Sequence, residues 1–408
     1  MIELRPITDA EVPQFSSAIT AGFGRDEPED ATSMHDGFRA NCDLRTTLAA
    51  FADDRIVATF ASFDLELAVP GGSLPMAGTT AVTVAPTHRR RGLLTEMMTR
   101  HLNQAVERGQ PVAGLWASEE VIYGRFGYGQ AVESVTVEVP TKLVSTAPPP
   151  SDVTIGALSD EEARRQLPPI HDRSVRRGAG GFPRTAAWWN WEHFVDPPHR
   201  RNGATSRRTV LAKRNGEPVG YAVYRQRAGS GPDGVGRVEI VEIVHDDDDA
   251  RRALWHFLTN IDLYRIVYWW LAPVDEPMLI ETERFRSLTV SPIDTLWLRM
   301  LDVPTSLAAR TYEGDGSLVL DVVDSLLDRG GLFRFEVIDG VGHCERLDTT
   351  HAEADATLDV GDLSALYLGG RSARTYARAG RIVGDVGAIQ ALDRIFHTSA
   401  APYCGEVF

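Results

Sequence analysis

The sequence predicts an α+β protein of three domains, and three observations carry that reading. Its 408 residues exceed what one ordinary hydrophobic core organises, because domains run to about 100–200 residues. Stretches of alternating apolar and polar residues recur between stretches with helical apolar spacing along the whole chain. Three consecutive prolines within Ser145–Ser151 can continue neither strand nor helix. The expected domains are 1–145, 146–293 and 294–408.

Within the first domain a strand is expected over Ile2–Ile7, then a helix opened by Asp9 as N-cap and an acidic loop over Arg25–Asp30. Strands over Leu44–Phe51 and Arg55–Val69 are joined by a hairpin-like turn at Asp53-Asp54, and Ala77–Val84 alternates up to Pro86. Arg91–Arg108 is an amphipathic helix with Leu94, Met97, Met98 and Leu102 toward a core, and Pro111–Ala117 a buried strand. The second domain is α+β with a glycine-rich surface hairpin loop over Arg225–Gly236. From Thr295 onward short strands and helices alternate, punctuated by Gly369-Gly370 and Gly380-Arg381.

Composition narrows the function classes. Residues are 43% hydrophobic and 24% charged, and no apolar run approaches the roughly 20 residues that cross a bilayer. The start, Met1 to Pro6, lacks the basic segment and apolar stretch of a secretory leader, so a cytoplasmic protein is expected. Cys42, Cys344 and Cys404 stand far apart without a C-x-x-C pair, which argues against a disulfide framework or a thiolate metal site. Eleven histidines show no H-E-x-x-H spacing, so no metal is expected. A formal charge of −15 repels phosphate backbones and anionic lipid and favours a cationic partner such as an amine. With that charge, Trp188-Trp189-Asn190-Trp191 and Tyr268-Trp269-Trp270 are core or interface aromatics and not a nucleobase platform.

One internal similarity carries chemistry. The stretch from Ala81 through Arg89-Arg90-Arg91-Gly92 to Leu94 can be laid beside that from Val241 through Asp246–Asp249 to Leu254, each an apolar strand, a polar turn and an amphipathic helix. The turns differ in sign. A strand halting at Pro86 and turning through Arg89-Arg90-Arg91-Gly92 presents free backbone N–H groups, a favourable helix dipole and guanidinium donors to an anion. The acidic turn of the second stretch suits a solvated helix start and repels polyphosphate; its spacing is not that of a calcium loop. From the short motif alone, the basic turn is as readily a surface arginine cluster as a nucleotide site.

Val82-Thr83-Val84-Ala85-Pro86 followed by Arg89-x-x-Gly92 resembles the pyrophosphate-binding signature of the GNAT superfamily of N-acetyltransferases, with Leu94 where glycine or alanine is usual. Downstream, Ile122-Tyr123-Gly124-Arg125-Phe126-Gly127-Tyr128 resembles the superfamily's second landmark. His88-Arg-Arg-Arg-Gly-Leu-Leu, Ala117-Ser-Glu, Tyr123-Gly-Arg-Phe-Gly-Tyr-Gly, the Ala365–Gly370 segment and the ending Glu406-Val407-Phe408 together resemble the enhanced intracellular survival (Eis) family. The resemblance implies two tandem GNAT-type domains, the second degenerate, and a sterol-carrier-like α+β third domain. It implies acetyl-CoA as cosubstrate, acetylation of amines of aminoglycosides or lysine-containing peptides, and a hexamer.

The same resemblance implies that Val82, Thr83 and Val84 align the pantetheine, with the Val84 N–H as oxyanion donor. It further implies that Arg89, Arg90, Arg91, Gly92, Leu93, Leu94 and Thr95 hold the pyrophosphate and that Ser118 and Glu119 line the groove. Tyr123 suits proton delivery to the leaving thiolate: a phenol of pKa about 10 faces a thiol of about 8.5, so the transfer is only slightly uphill. For the amine's proton the resemblance points to the α-carboxylate of Phe408, whose affinity for a proton burial would have to raise. Phe23, Asp26, Glu27 and Glu406 are candidates to attract a cationic acceptor. Met34 stands where a tryptophan is typical, and Ala81 where a phenylalanine is found, which implies a less aromatic pocket. A competing expectation is a binding protein whose last domain carries an apolar ligand while acetyl-CoA only regulates it.

Overall fold

A computed structural model describes residues 2–143, 148–229, 234–282, 284–348 and 353–408. The linker expected over Ser145–Ser151 and the loop over Arg225–Gly236 lie in part outside the described residues. Among the described residues three sheets are present, in two compact units: residues 1–132, 178–182 and 294–408, and residues 133–177 and 183–293. Among the described residues no helix is long and apolar enough to cross a membrane.

In the first unit β1 (Ile2–Pro6), β2 (Leu48–Ala52), β3 (Arg55–Val69) and β4 (Gly72–Val84) form an antiparallel meander. Asp53 and Asp54, both at positive φ (48° and 63°), make the β2–β3 turn, a backbone that short polar side chains tolerate. β5 (Val112–Trp116) joins parallel to β4 through the crossover helix. The helices are α1 (Val12–Gly22), α2 (Thr32–Asn41) and α3 (Leu93–Glu107). Thr8, and not Asp9, caps the turn that leads into α1, because its N–H and hydroxyl both donate to Glu11 (2.7 and 3.0 Å). Asp9 pairs instead with Arg39 on α2 at 2.8 Å. The largely polar α2 gave no periodic signal; it is held by Phe38, whose ring lies 5.3 Å from that of Phe15. Met97, Met98 and Leu102 of α3 are buried as expected, whereas Leu94 is only half-buried.

Strand Leu296–Met300 lies between β5 and Gly129–Gln130 in this first sheet. A five-stranded sheet, Gly316–Val323 to Ile382–Gly384, forms the rest of the unit with its helices. Helix Val360–Leu366 packs so closely on Gly129 that a Cβ there would stand 1.8 Å from the Gly361 carbonyl oxygen, and Ser364 accepts the Met300 N–H at 2.9 Å.

The second unit holds a seven-stranded sheet from the edge strand Thr289–Asp294 to Val153–Leu158. Helix Asp160–Val175 opens with a Ser159/Glu162 capping box and Asp248–Thr259 with Asp247 as cap. Strand Glu133–Pro140 belongs to this sheet although it precedes residue 145, and Leu296–Met300 to the first although it follows residue 293. Short strands choose partners by long-range packing, which local pattern does not encode.

Candidate active site

β4 and β5 pair from Met76–Val112 to Thr79–Leu115 and no further, while β4 runs on to Val84. The splay coincides with a bulge: Thr59 faces Thr83 and Ala61 faces Thr80, so Ala81 and Val82 together oppose Phe60. Ala81 takes a left-handed φ of 53°. Thr59, fully buried, holds that conformation by donating its hydroxyl to the Ala81 carbonyl at 2.7 Å. Its single hydrogen is thereby used, so the Thr83 hydroxyl, also 2.7 Å away, donates to Thr59.

Beyond the bulge the chain turns through Pro86–His88 and Arg90 (φ 62°) to Gly92 (φ 82°), the N-cap of α3. Gly92 brings no capping side chain, which leaves N–H groups of the first helical turn facing the opening. A Cβ at Gly92 would touch nothing within 4 Å, so the approach to these donors is open. The resulting groove has a volume of about 860 Å³, within the range of small-molecule sites. Val82, Thr83 and Val84 form one wall, with Arg89, Arg90, Gly92, Leu93, Leu94 and Thr95 at the turn. Ser118, Glu119 and Tyr123 form the other wall. Arg91 is the exception: its guanidinium turns back to the Thr87 carbonyl at 3.1 Å.

Tyr123, 5% exposed, sits at the C-terminal end of α4 (Glu120–Tyr123). Burial raises its phenol above the ordinary value, partly offset by a hydrogen bond with Ser118. Behind it Thr79 links His101 Nε2 (2.9 Å) and the Tyr128 hydroxyl (3.1 Å). Burial pushes His101 down to about 3, so its imidazole is neutral. The groove also takes in Gly22, His88, Ile122 and Arg125, which the sequence reading did not single out. His88 and Arg125 lay inside the quoted motifs, where only their place on a tight turn decides that they face the opening. Gly22 carried no local signal: a Cβ there would stand 2.5 Å from the Cβ of Thr83.

The residues expected to receive the acceptor are more scattered. Phe23 lines the groove at 46% exposure. Asp26 and Glu27 lie on the loop after α1, where Glu27 accepts from the Ser17 hydroxyl (2.8 and 2.9 Å), and Met34 is on α2. Glu406 is buried at 6% exposure. Phe408 is pinned and not frayed: its ring meets Phe182 edge-on at 5.6 Å, and its Cε2 lies 3.3 Å from where a Cβ on Gly78 of β4 would be.

Residues 3–131 match a family model described as an acetyltransferase (GNAT) domain, residues 180–300 a second model so described, and residues 303–405 a sterol carrier protein domain. An "Uncharacterized N-acetyltransferase" of Streptomyces avermitilis is 37% identical, over 100% of this chain and 99% of that one. N-acetyltransferase Eis of Mycobacterium bovis is 32% identical over 90% of each chain. The chain belongs to the Eis family of GNAT N-acetyltransferases. The crystal structure of Eis1 from Mycobacterium abscessus superimposes with a TM-score of 0.85 at 30% identity over the whole of both chains. A GCN5-related N-acetyltransferase of Anabaena variabilis shares the fold, with a TM-score of 0.85 at 20% identity. The protein is thus an acetyltransferase with two GNAT domains and a C-terminal sterol-carrier-like domain, and the fold implies acetyl-CoA as cosubstrate.

The groove suits that cosubstrate. An extended β4 edge, a row of helix-start N–H donors and exposed Arg89 and Arg90 match an extended amide arm that ends in a polyanion. The second Eis-family GNAT domain has closed the corresponding turn on itself. Asp246 is clamped by Arg173 and Arg177 (2.7 and 2.6 Å), and Arg214 holds Asp247 and Asp249 (2.6 and 3.1 Å).

Proposed function

We propose that this enzyme acetylates primary amines of cationic substrates such as aminoglycosides, polyamines or lysine side chains, with Tyr123 as general acid and the Phe408 α-carboxylate as general base. The observation that carries the reading is Tyr123. Its buried phenol stays protonated near neutrality and stands on the groove wall across from the splayed end of β4. As the amine nitrogen bonds to the thioester carbonyl carbon and the carbon–sulfur bond breaks, Tyr123 gives its proton to the sulfur. The Phe408 carboxylate takes the proton the amine loses, and solvent resets both groups.

Val84 supplies an N–H toward the carbonyl oxygen, and Val82 aligns the amide arm. Ring packing of Phe408 on the Gly78 region of β4 supports a terminus held near the same strand. In this reading residues 1–145 are the catalytic domain, 146–293 the degenerate copy and 294–408 a domain that delivers the terminus. The enzyme works in the cytoplasm as a homo-oligomer, hexameric by family resemblance. The lipid-carrier alternative is less favoured, because Tyr312, Phe335 and Phe396 fill the C-terminal domain's interior with ring centroids 5.4–6.1 Å apart.

Release of CoA thiol with a panel of aminoglycosides, polyamines and lysine peptides tests the proposal. Turnover with at least one amine is expected, and Tyr123→Phe should lower kcat by about 10²–10⁴. Acetyl-CoA binding without turnover on any of them, or full activity of Tyr123→Phe, would overturn it.

A further inference from the structure

The short turn that carries Tyr123 is fastened from behind by a buried ion pair from the C-terminal part of the chain. Arg299, fully buried, lies in strand Leu296–Met300 beside β5. One guanidinium nitrogen, Nη1, donates to the Phe126 carbonyl at 2.6 Å. The other, Nη2, reaches both carboxylate oxygens of Asp324, each at 2.8 Å. Asp324 follows strand Gly316–Val323 directly and also accepts the N–H groups of Leu326 and Leu327, both at 3.2 Å. The carboxylate is therefore itself fixed by four donor contacts.

Backbone bonds within the turn and the packing of its aromatic rings accompany this anchor. Gly127 N–H bonds to the Gly124 carbonyl at 3.0 Å, and Tyr128 N–H to the Tyr123 carbonyl at 3.3 Å. Gly127 has φ 76°, and a Cβ there would fall 1.7 Å from Arg299 Nη1, so the turn is shaped around the guanidinium. Phe126, Tyr123, Leu326 and Leu327 belong to one hydrophobic cluster, so the Asp324 loop and the Tyr123 turn pack into the same core. A buried guanidinium is tolerated only with a paired carboxylate, so the two residues act as a unit.

We propose that Arg299 and Asp324 are positioning residues for Tyr123: they lock residues 124–127 so that the phenol faces the leaving sulfur. The inference rests on the reading of Tyr123 as general acid. It makes the domain that matches a sterol carrier model part of the catalytic apparatus, independently of the terminal carboxylate.

The experiment measures kcat, KM for acetyl-CoA and the thermal midpoint for Asp324→Asn and Arg299→Lys, each in the native and the Tyr123→Phe backgrounds. Asparagine keeps an acceptor for Leu326 and Leu327 but loses the charge; lysine keeps the charge but cannot reach both partners as a fork. Displacing a reacting group by about 1 Å can cost 10²-fold. In the native background kcat should therefore fall about tenfold to a hundredfold, with KM for acetyl-CoA within about twofold of the parent. In the Tyr123→Phe background the same substitutions should cost nothing further. Unchanged kcat in the folded native-background variants overturns the proposal, as does an equal loss in both backgrounds. Full activity of Tyr123→Phe alone refutes the general-acid reading and is a separate result. The double variant R299M/D324N, which leaves no lone buried charge, serves where a single substitution prevents folding, and the same kcat loss is expected of it.

Discussion

Thr59→Val is the sharpest test of how the groove is built. The hydroxyl of Thr59 is the side-chain group that meets both Ala81 and Thr83, at 2.7 Å each. Valine has nearly the same volume, so no cavity opens, and the whole effect comes from hydrogen bonding. An unsatisfied buried carbonyl costs about 1–3 kcal/mol. The left-handed Ala81 carries a further conformational cost of about 1–2 kcal/mol, which the Thr59 bond now offsets. The bulged arrangement should therefore lose about 1–3 kcal/mol, and with the strain at Ala81 no longer offset the strand is free to relax toward regular pairing. Regular pairing shifts Val82 and Val84 by one residue and turns them to the opposite face. Urea unfolding and thiol-release kinetics on Thr59→Val and Thr59→Ser check this. Valine should lower both stability and kcat, the latter at least about tenfold, whereas serine keeps the hydroxyl and stays close to the parent. If Thr59→Val unfolds within about 0.5 kcal/mol of the parent and keeps its kcat, Thr59 does not hold the bulge.

Residues appended after Phe408 should reduce kcat severely while acetyl-CoA affinity, measured by calorimetry, stays near the parent value; full activity of such a protein removes the terminal carboxylate from the mechanism. Because Tyr123 must be protonated and burial raises its pKa, the alkaline fall of kcat should lie above the range of an ordinary phenol; a fall below that range would assign the acid elsewhere. His101 is buried and neutral, with a folded pKa of about 3 against 6.5 unfolded. Between those values the unfolded chain binds more protons, so its contribution is complete above pH 6.5 and lost as pH falls toward 3. His101→Gln should flatten acid unfolding over that window, by a few kcal/mol at most.

The sequence made the groove legible where chemistry and local geometry coincide. Arg89, Arg90 and Gly92 follow a strand that must end at Pro86, a turn that offers donors to an anion, and the paired motif around Tyr123 decides between that use and a plain surface cluster. Tyr123 was legible through its place in a motif, not through any property of a lone tyrosine. What stayed hidden depends on residues distant in the chain. Thr59 reads as one more β-branched strand residue until Ala81 is seen to lie opposite with φ 53°. Arg299 reads as a polar interruption of an apolar strand until its partners Phe126 and Asp324, 173 residues before it and 25 after it, are brought to it. Arg91 shares the charge and position of its neighbours, and only the structure shows its guanidinium donating to the Thr87 carbonyl at 3.1 Å.

The two GNAT domains separate what the fold supplies from what the turn supplies. In the second, the parallel pairing of Gly236–His245 with Tyr264–Pro273 ends at Ile240–Trp269, and Val241 is an unmatched bulge residue, the counterpart of Ala81 in the sequence comparison. The strand geometry that could receive an amide arm is thus retained. Across it, however, Arg251 of the following helix is 2% exposed and reaches Glu276 at 3.2 Å and also Glu281, while Glu276 accepts the Trp255 indole N–H at 3.0 Å. An internal ion pair bridges the helix start and the far lip, and four aspartates at 246–249 replace the basic turn. A polyphosphate would have to displace buried, mutually neutralised charges and then face carboxylates, which is unfavourable on both counts. If the basic turn selects the cosubstrate, the difference between the two domains lies at this strand–helix junction and not in the fold they share. It follows that exchanging the Arg89–Gly92 turn alone should abolish binding in the first domain, whereas restoring binding in the second would also require removal of the Arg251 bridge.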